Sequence, residues 1–238
     1  MYYGYGMGGF FWDPTYFLVI IGVVICLIAS ARVQSTYAKF EKVRSHSGVT
    51  AAEAAQQILH GAGLYNVRIE RISGHLTDNY DPRSKVLHLS DATWRSTSVA
   101  AIGVAAHECG HAIQHATGYA PLAFRSALVP VANFGSTIAW PLILIGLLFN
   151  SQSSVLFLNL GILAFSLAVL FQIVTLPVEF NASSRAIRML SGNGMLYEDE
   201  VQATRKVLTA AALTYVAGAA SAILQLLRII LISNSRRR

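Results

Sequence analysis

Four stretches of nearly unbroken apolar residues divide the chain: residues 16–31, 131–149, 155–176 and 207–232. Each approaches the ~20 residues a helix needs to cross a bilayer core. Four of them exceed what the core of a soluble domain of this length can hide, so the pattern predicts four membrane helices. Between the first two lies the only sizeable polar region. There, "VTAAEAAQQILHGAG" reads as a helix capped by Thr50, with Glu53 completing a capping box and Gly61 or Gly63 at its stop. "YNVRIERISG" and "KVLHLS" alternate like strands, and the turn-rich "HLTDNYDPRS" separates them. A second helix is predicted from Asp91 through His115. The organisation is therefore a tail and first span (1–31), a small α+β region (32–130), a membrane hairpin (131–176), a helical connection (177–206) and a last membrane helix with a basic tail (207–238).

Composition agrees with this class: 54% of the residues are hydrophobic and only 13% are charged. Charge then orients the chain in a cell membrane. Arg32, Lys39, Lys42 and Arg44 follow the first span, Arg125 precedes the second, and Arg185, Arg188, Arg205 and Lys206 follow the third. The positive-inside rule places 32–130 and 177–206 in the cytoplasm. The terminal "SNSRRR" opposes that rule if the last helix crosses fully; the alternative is that this helix, which carries Gln225 and Arg228, lies partly in the interface. No Lys or Arg precedes the first span, whereas a cleavable signal peptide calls for a positive start. The aromatics Tyr2, Tyr3, Tyr5, Phe10, Phe11 and Trp12 suit either an interfacial anchor or a tail with no further role. The net charge of +6 borders spans and no RNA or DNA motif is visible, so the expected partner is the lipid bilayer and not nucleic acid. Cys26 and Cys109 do not suggest a disulfide framework.

The chemistry resides in His107-Glu108-Cys109-Gly110-His111. On a helix, residues four apart share a face, so both imidazoles of this H-E-x-x-H pattern can reach one zinc ion, and Glu108 can act as general base toward water. A third protein ligand is required. The metzincin position ten residues after His107 is Thr117, and His115 lies too far along one straight helix to share the ion, which leaves it as a supporting or surface histidine. Glu198, Asp199 and Glu200 read as a solvated helix start. Glu179 stands alone beside apolar residues just after the third span, and the hairpin returns it to the side that holds the histidines. The predicted metal set is thus His107, His111 and Glu179, with Glu108 catalytic.

Three blocks, "LTDNYDPRSKVLHLS", "AAHECGHAIQH" and "TLPVEFNASSRA", resemble the YugP-type membrane zinc metallopeptidases, and the likeness covers nearly the whole chain. More distantly, the sequence is similar to HtpX-like and CAAX prenyl protease gluzincins, in which a membrane hairpin separates H-E-x-x-H from an E-x-x-A-D glutamate. Glu179 and Ala182 fit that second pattern, while Ser183 replaces its aspartate. Asn181, Ser183 or Arg185 are left to orient the first histidine. The resemblance implies a gluzincin-like zinc peptidase domain that hydrolyses peptide bonds in protein or peptide substrates, with Arg185 or Tyr197 as oxyanion donor. It also implies a substrate-pairing strand, placed here at residues 85–90 unless that strand is simply part of a sheet. Asp78, Asn79, Tyr80 and Asp81 fit turn chemistry better than a cleft lining. A non-catalytic membrane scaffold or chaperone with a structural zinc is the competing class. Glu108 argues against it, because a structural site needs no base and usually closes its fourth position with another Cys or His.

The charge pattern makes a topological prediction. In a background lacking Cys26 and Cys109, Ser96→Cys and Ser191→Cys will label from one side of the membrane and Ser153→Cys from the other. Labelling of Ser96→Cys and Ser191→Cys from opposite sides would remove Glu179 as a ligand.

Overall fold

A computed structural model describes residues 14–149, 152–192 and 194–235. The aromatic tail through Trp12, the hairpin tip at Asn150 and Ser151, and the terminal arginines lie outside these residues. The elements in chain order are α1 (Tyr16–Phe40), α2 (Ala51–Gly61), β1 (Arg68–Ile72), β2 (Asn79–Asp81), β3 (Val86–Ser90), α3 (Asp91–Trp94), α4 (Val99–Ala116), α5 (Ala120–Leu148), α6 (Gln152–Gly192) and α7 (Glu198–Ser235). Of these, α1, α5, α6 and α7 are long and apolar enough to cross a membrane.

The expected capping box at α2 is present: the Thr50 hydroxyl accepts from the Glu53 N–H, and the Glu53 carboxylate accepts from the Thr50 N–H. The helix predicted from Asp91 to His115 is instead two. It breaks because residues 96–99 form long-range backbone bonds that a helix would use internally. Thr97 O accepts from Ser45 N–H, Ser96 O accepts from Ala51 N–H, and Val99 N–H donates to Val43 O. Ser98 then caps α4 by accepting from Ala101 N–H, satisfying one of the free donors that every helix start exposes.

The three strands run in the order β1-β3-β2, with β1 parallel and β2 antiparallel to β3. The strand of residues 86–90 is therefore central and hydrogen-bonded on both sides, which excludes it as a free edge for substrate. The turn-rich segment contributes the edge strand β2. Asp78 ties the turn down, its carboxylate accepting from the Ser90 N–H and from the hydroxyls of Ser90 and Thr93.

The described residues divide into two compact units. One holds residues 14–28, 125–174 and 216–235 and contains most of the apolar helix length. Within it, α5 and α6 form an antiparallel hairpin whose close contacts depend on glycine. A Cβ on Gly135 would lie 2.7 Å from Ala164 O, on Gly146 2.6 Å from Leu158 Cγ, and on Gly161 2.7 Å from Ile143 Cγ1. A Cβ on Gly22 of α1 would lie 2.7 Å from the Ser221 hydroxyl oxygen of α7, whereas one on Gly218 would have ordinary contact with Gln172 at 3.8 Å. The cationic Arg228 lies against the Tyr16 ring, its guanidinium carbon 5.0 Å from the centroid.

The other unit holds residues 29–124 and 175–215. Its core joins Ala51, Ile58 and Leu59 of α2, Leu87 and Leu89 of β3, and Ile102, Ala105 and Ala106 of α4 to Ala186 and Leu190 of α6. The start of α7 also belongs here. Glu200, expected in a solvated cluster, is buried: its carboxylate accepts from His46 N–H at 2.7 Å and Tyr197 N–H at 2.7 Å, and bonds the His46 ring at 2.9 Å. It holds the first turn of α7 and the loop at residue 46 together.

Glu200→Ala strips the acceptor from two backbone donors and is expected to cost about 1–3 kcal/mol. Thermal unfolding in detergent will show a clear drop for Glu200→Ala, a smaller one for Glu200→Gln, and none for exposed Glu198→Ala.

Candidate metal centre

Helix α4 brings His107 and His111 together as neighbours one turn apart, with ring centroids at 4.8 Å and planes at 86°. Glu179 of α6 completes the group. It is only 2% exposed, and its Oε2 stands 3.3 Å from His107 Nε2 and 3.5 Å from His111 Nε2. One ligand atom from each of the three lies within 4.8 Å of the others. The two helices can approach this far because Gly110 has no side chain. A Cβ there would lie 2.6 Å from Ala182 O and 3.1 Å from Ala182 Cα, which is backbone and cannot step aside.

A second set of bonds aims the imidazoles. Gln114, fully buried on the turn after His111, donates through Nε2 to Val178 O at 2.8 Å and to Asn181 Oδ1 at 3.0 Å. Those two acceptors fix the amide so that its oxygen faces His111 Nδ1 at 3.0 Å. An amide oxygen can only accept, so Nδ1 carries a hydrogen and Nε2 is the ring nitrogen left to face Glu179. Arg185 Nε in turn donates to Asn181 Oδ1 at 2.7 Å. On the other ring, His107 Nδ1 meets Ser183 Oγ at 3.1 Å. Of the three residues considered for orienting the first histidine, Ser183 is the one in contact, while Asn181 and Arg185 act on His111 through Gln114.

The electrostatics are those of a crowded, poorly solvated cluster. Burial pushes the Glu108 carboxyl above the usual carboxylate range, and Glu179 and Asp78 add to the rise, against the opposing pull of the two histidines. Burial works against protonation of His111, but its bond to Glu179 and the charge on Glu108 outweigh it and raise its pKa. Burial also drives the Cys109 thiol upward, and its Sγ lies 3.6 Å from Ala55 O, away from the cluster. Two imidazole nitrogens with their Nδ1 atoms already engaged, plus one carboxylate oxygen, are donors that suit zinc, and three protein ligands leave a position open.

The remaining sequence candidates are held by partners outside the His-His-Glu cluster. His115 Nδ1 bonds the Tyr80 hydroxyl at 3.0 Å, linking α4 to edge strand β2. The Arg185 guanidinium lies over the Tyr119 ring at 5.9 Å. Tyr197 is exposed and stacks edge-on against His46, with centroids at 5.4 Å, at the start of α7. Gln114 went unnoticed in the sequence. The only signal was its spacing, a polar residue three positions after a ligand histidine on the same helix face.

Four helices long and apolar enough to cross a membrane, among the described residues, and a zinc-type donor set together suit a membrane metalloprotein. Consistently, the chain belongs to the family described as "Putative neutral zinc metallopeptidase", whose model matches residues 15–234. It is 45% identical over 216 residues to "Putative membrane protease YugP" of Bacillus subtilis (strain 168), covering 91% of this chain and 95% of that relative. No solved structure matches the chain. Zinc is the metal of the family, and the His-His-Glu cluster is where the described residues can hold it.

Gly110→Ala tests the helix contact. Propensity alone would favour alanine by about 1 kcal/mol in a helix interior. The collision with Ala182 should reverse that sign, lowering both the unfolding temperature and the zinc bound per chain in elemental analysis. Gly192→Ala, where a Cβ meets nothing within 4 Å, should leave both unchanged.

Proposed function

We propose that this chain is a membrane-embedded zinc endopeptidase of the gluzincin plan, with His107, His111 and Glu179 as ligands and Glu108 of the H-E-x-x-H motif as general base. The observation that carries the reading is the convergence of both Nε2 atoms on one buried carboxylate oxygen from a helix far away in sequence. Zinc, when bound, supplies Lewis-acid polarisation of the scissile carbonyl and activation of water. The protein side of the chemistry belongs to Glu108. A carboxyl raised by burial is a better base than a solvated one, so Glu108 takes the proton from the attacking water and passes it to the departing amine. Gln114 and Ser183 keep both rings turned with Nε2 inward throughout.

Substrate would approach in extended form. Strand β2 uses one side to pair with β3, and the Tyr80–His115 bond sets it beside the helix that carries the histidines. Its other side offers backbone groups to which a peptide strand can add, giving sequence-tolerant recognition of protein or peptide substrates. The basic residues of 32–130 and 177–206 support a cytoplasmic active site.

Glu108→Gln is expected to keep zinc at the level of the unaltered protein while peptidase activity on an unfolded protein substrate falls by ~10²–10⁴. Glu179→Ala should lose zinc and activity together, and His115→Ala should keep its zinc. Full zinc in monodisperse Glu179→Ala with loss in His115→Ala would refute the ligand set. Undiminished cleavage by Glu108→Gln would refute the base.

A further inference from the structure

A cavity of about 480 Å³ opens between α1 and the first turns of α7, and it shares no residue with the metal centre. Arg32, Ser35, Thr36 and Lys39 face it from α1, and Gln202, Arg205, Lys206 and Thr209 from α7. On each helix these positions recur at the three-to-four-residue spacing of one face, so two polar faces oppose each other. The lining contains four cations and no carboxylate. Among the described residues none of the four cations forms an ion pair; on α7, Glu200 is engaged with His46 and Tyr197, and Glu198 accepts from the Gln202 amide.

Four like charges around one concavity repel unless an anion sits among them. The position along the chain indicates which anion. Arg32 follows directly on the apolar run 16–31, and Lys206 directly precedes the run 207–232, so on both helices the charges begin where the hydrocarbon-compatible residues end. Phe40, Ala210 and Leu213 give the same cavity an apolar wall. The Ser35 hydroxyl already donates to Arg32 O and one Gln202 amide hydrogen to Glu198, which leaves the Thr36 and Thr209 hydroxyls and the second amide hydrogen as donors to phosphate oxygens. With cations to neutralise the phosphate and apolar carbon alongside, the set matches a lipid head group joined to its glycerol and acyl chains. Basic pockets between membrane helices are a recognised form of such a site. We propose that this cavity binds the phosphate head group of an anionic glycerophospholipid. The site is independent of the zinc reading and stands or falls without it.

The experiment uses the full-length protein in detergent, titrated with phosphatidylglycerol, with phosphatidylcholine or with inorganic phosphate, while the unfolding temperature and the retained lipid are measured, the latter by native mass spectrometry. Phosphatidylglycerol is expected to raise the unfolding temperature and to be retained, and phosphatidylcholine to do neither. Inorganic phosphate at the same concentration should have little effect, because it lacks the apolar half of the ligand. The pairs Arg32→Gln/Lys39→Gln and Arg205→Gln/Lys206→Gln, one on each helix, should each weaken phosphatidylglycerol binding at least tenfold. Arg68→Gln/Arg83→Gln, which removes two cations outside the cavity, should not. Two independent pairs keep the test decisive if one fails to yield monodisperse protein. Equal stabilisation by inorganic phosphate would overturn the lipid assignment in favour of a free-anion site. Undiminished binding by either monodisperse cavity pair, or an equal loss in the Arg68/Arg83 control, would overturn the site itself.

Discussion

Everything at the metal centre depends on how closely two helix backbones can approach. Where Gly110 of α4 meets Ala182 of α6, no atom can be added on the α4 side without striking a carbonyl. That single separation sets two reaches at once. Glu179, a side chain of moderate length, arrives between the histidines, and Gln114 of α4 spans the other way to the backbone of Val178 and the side chain of Asn181. A wider gap would break both sets together, leaving a carboxylate buried without its imidazoles and an amide buried without its acceptors. Each of those states is costly in a poorly solvated interior. The small residues are thus as much a part of the chemistry as the polar ones they allow to meet.

Helix α6 contributes to both units as one helix, with Pro177 inside it. At about 1.5 Å per residue, its length is on the order of 60 Å, roughly twice a hydrocarbon core. Its apolar first part pairs with α5, and its last part, from Thr175 on, carries Glu179, Asn181 and Ser183. No loop intervenes between the membrane-type segment and the residues that close the metal centre. Glu179 lies in the helix itself, two residues after Pro177, so its placement carries no loop of its own to order.

What could be read from the sequence was whatever local spacing decides. The apolar runs, the Thr50 capping box and the one-turn spacing of His107 and His111 depend on neighbours within a few positions. That Glu179 comes to lie beside the histidines could be anticipated, because carboxylates are scarce and a hairpin must return its chain. The break before α4 was hidden because its cause is the distant segment 43–45, whose backbone competes for the same donors and acceptors. Glu200 looked like one of three solvated acids until its partner at His46, 154 positions away, came into view. Strand β2 was concealed by its own composition, since Asn79 and Asp81 are turn formers that pair only because β3 offers them a ladder. Gln114 belongs to the same kind, its meaning residing wholly in acceptors on α6.

The position of Cys109 has a redox consequence. A thiol lodged between the candidate base and the close-contact glycine would ordinarily be a weakness, open to oxidation, alkylation or competition for the metal. Here it faces the α2 side of the helix, is fully buried, and is held protonated by its surroundings. Since the thiolate is the reactive form, this sulfur is chemically quiet. When oxidant levels fluctuate, no disulfide or sulfenate is expected to form at the middle of the candidate centre. Reagents that target cysteines would have to act through Cys26 or leave the protein untouched.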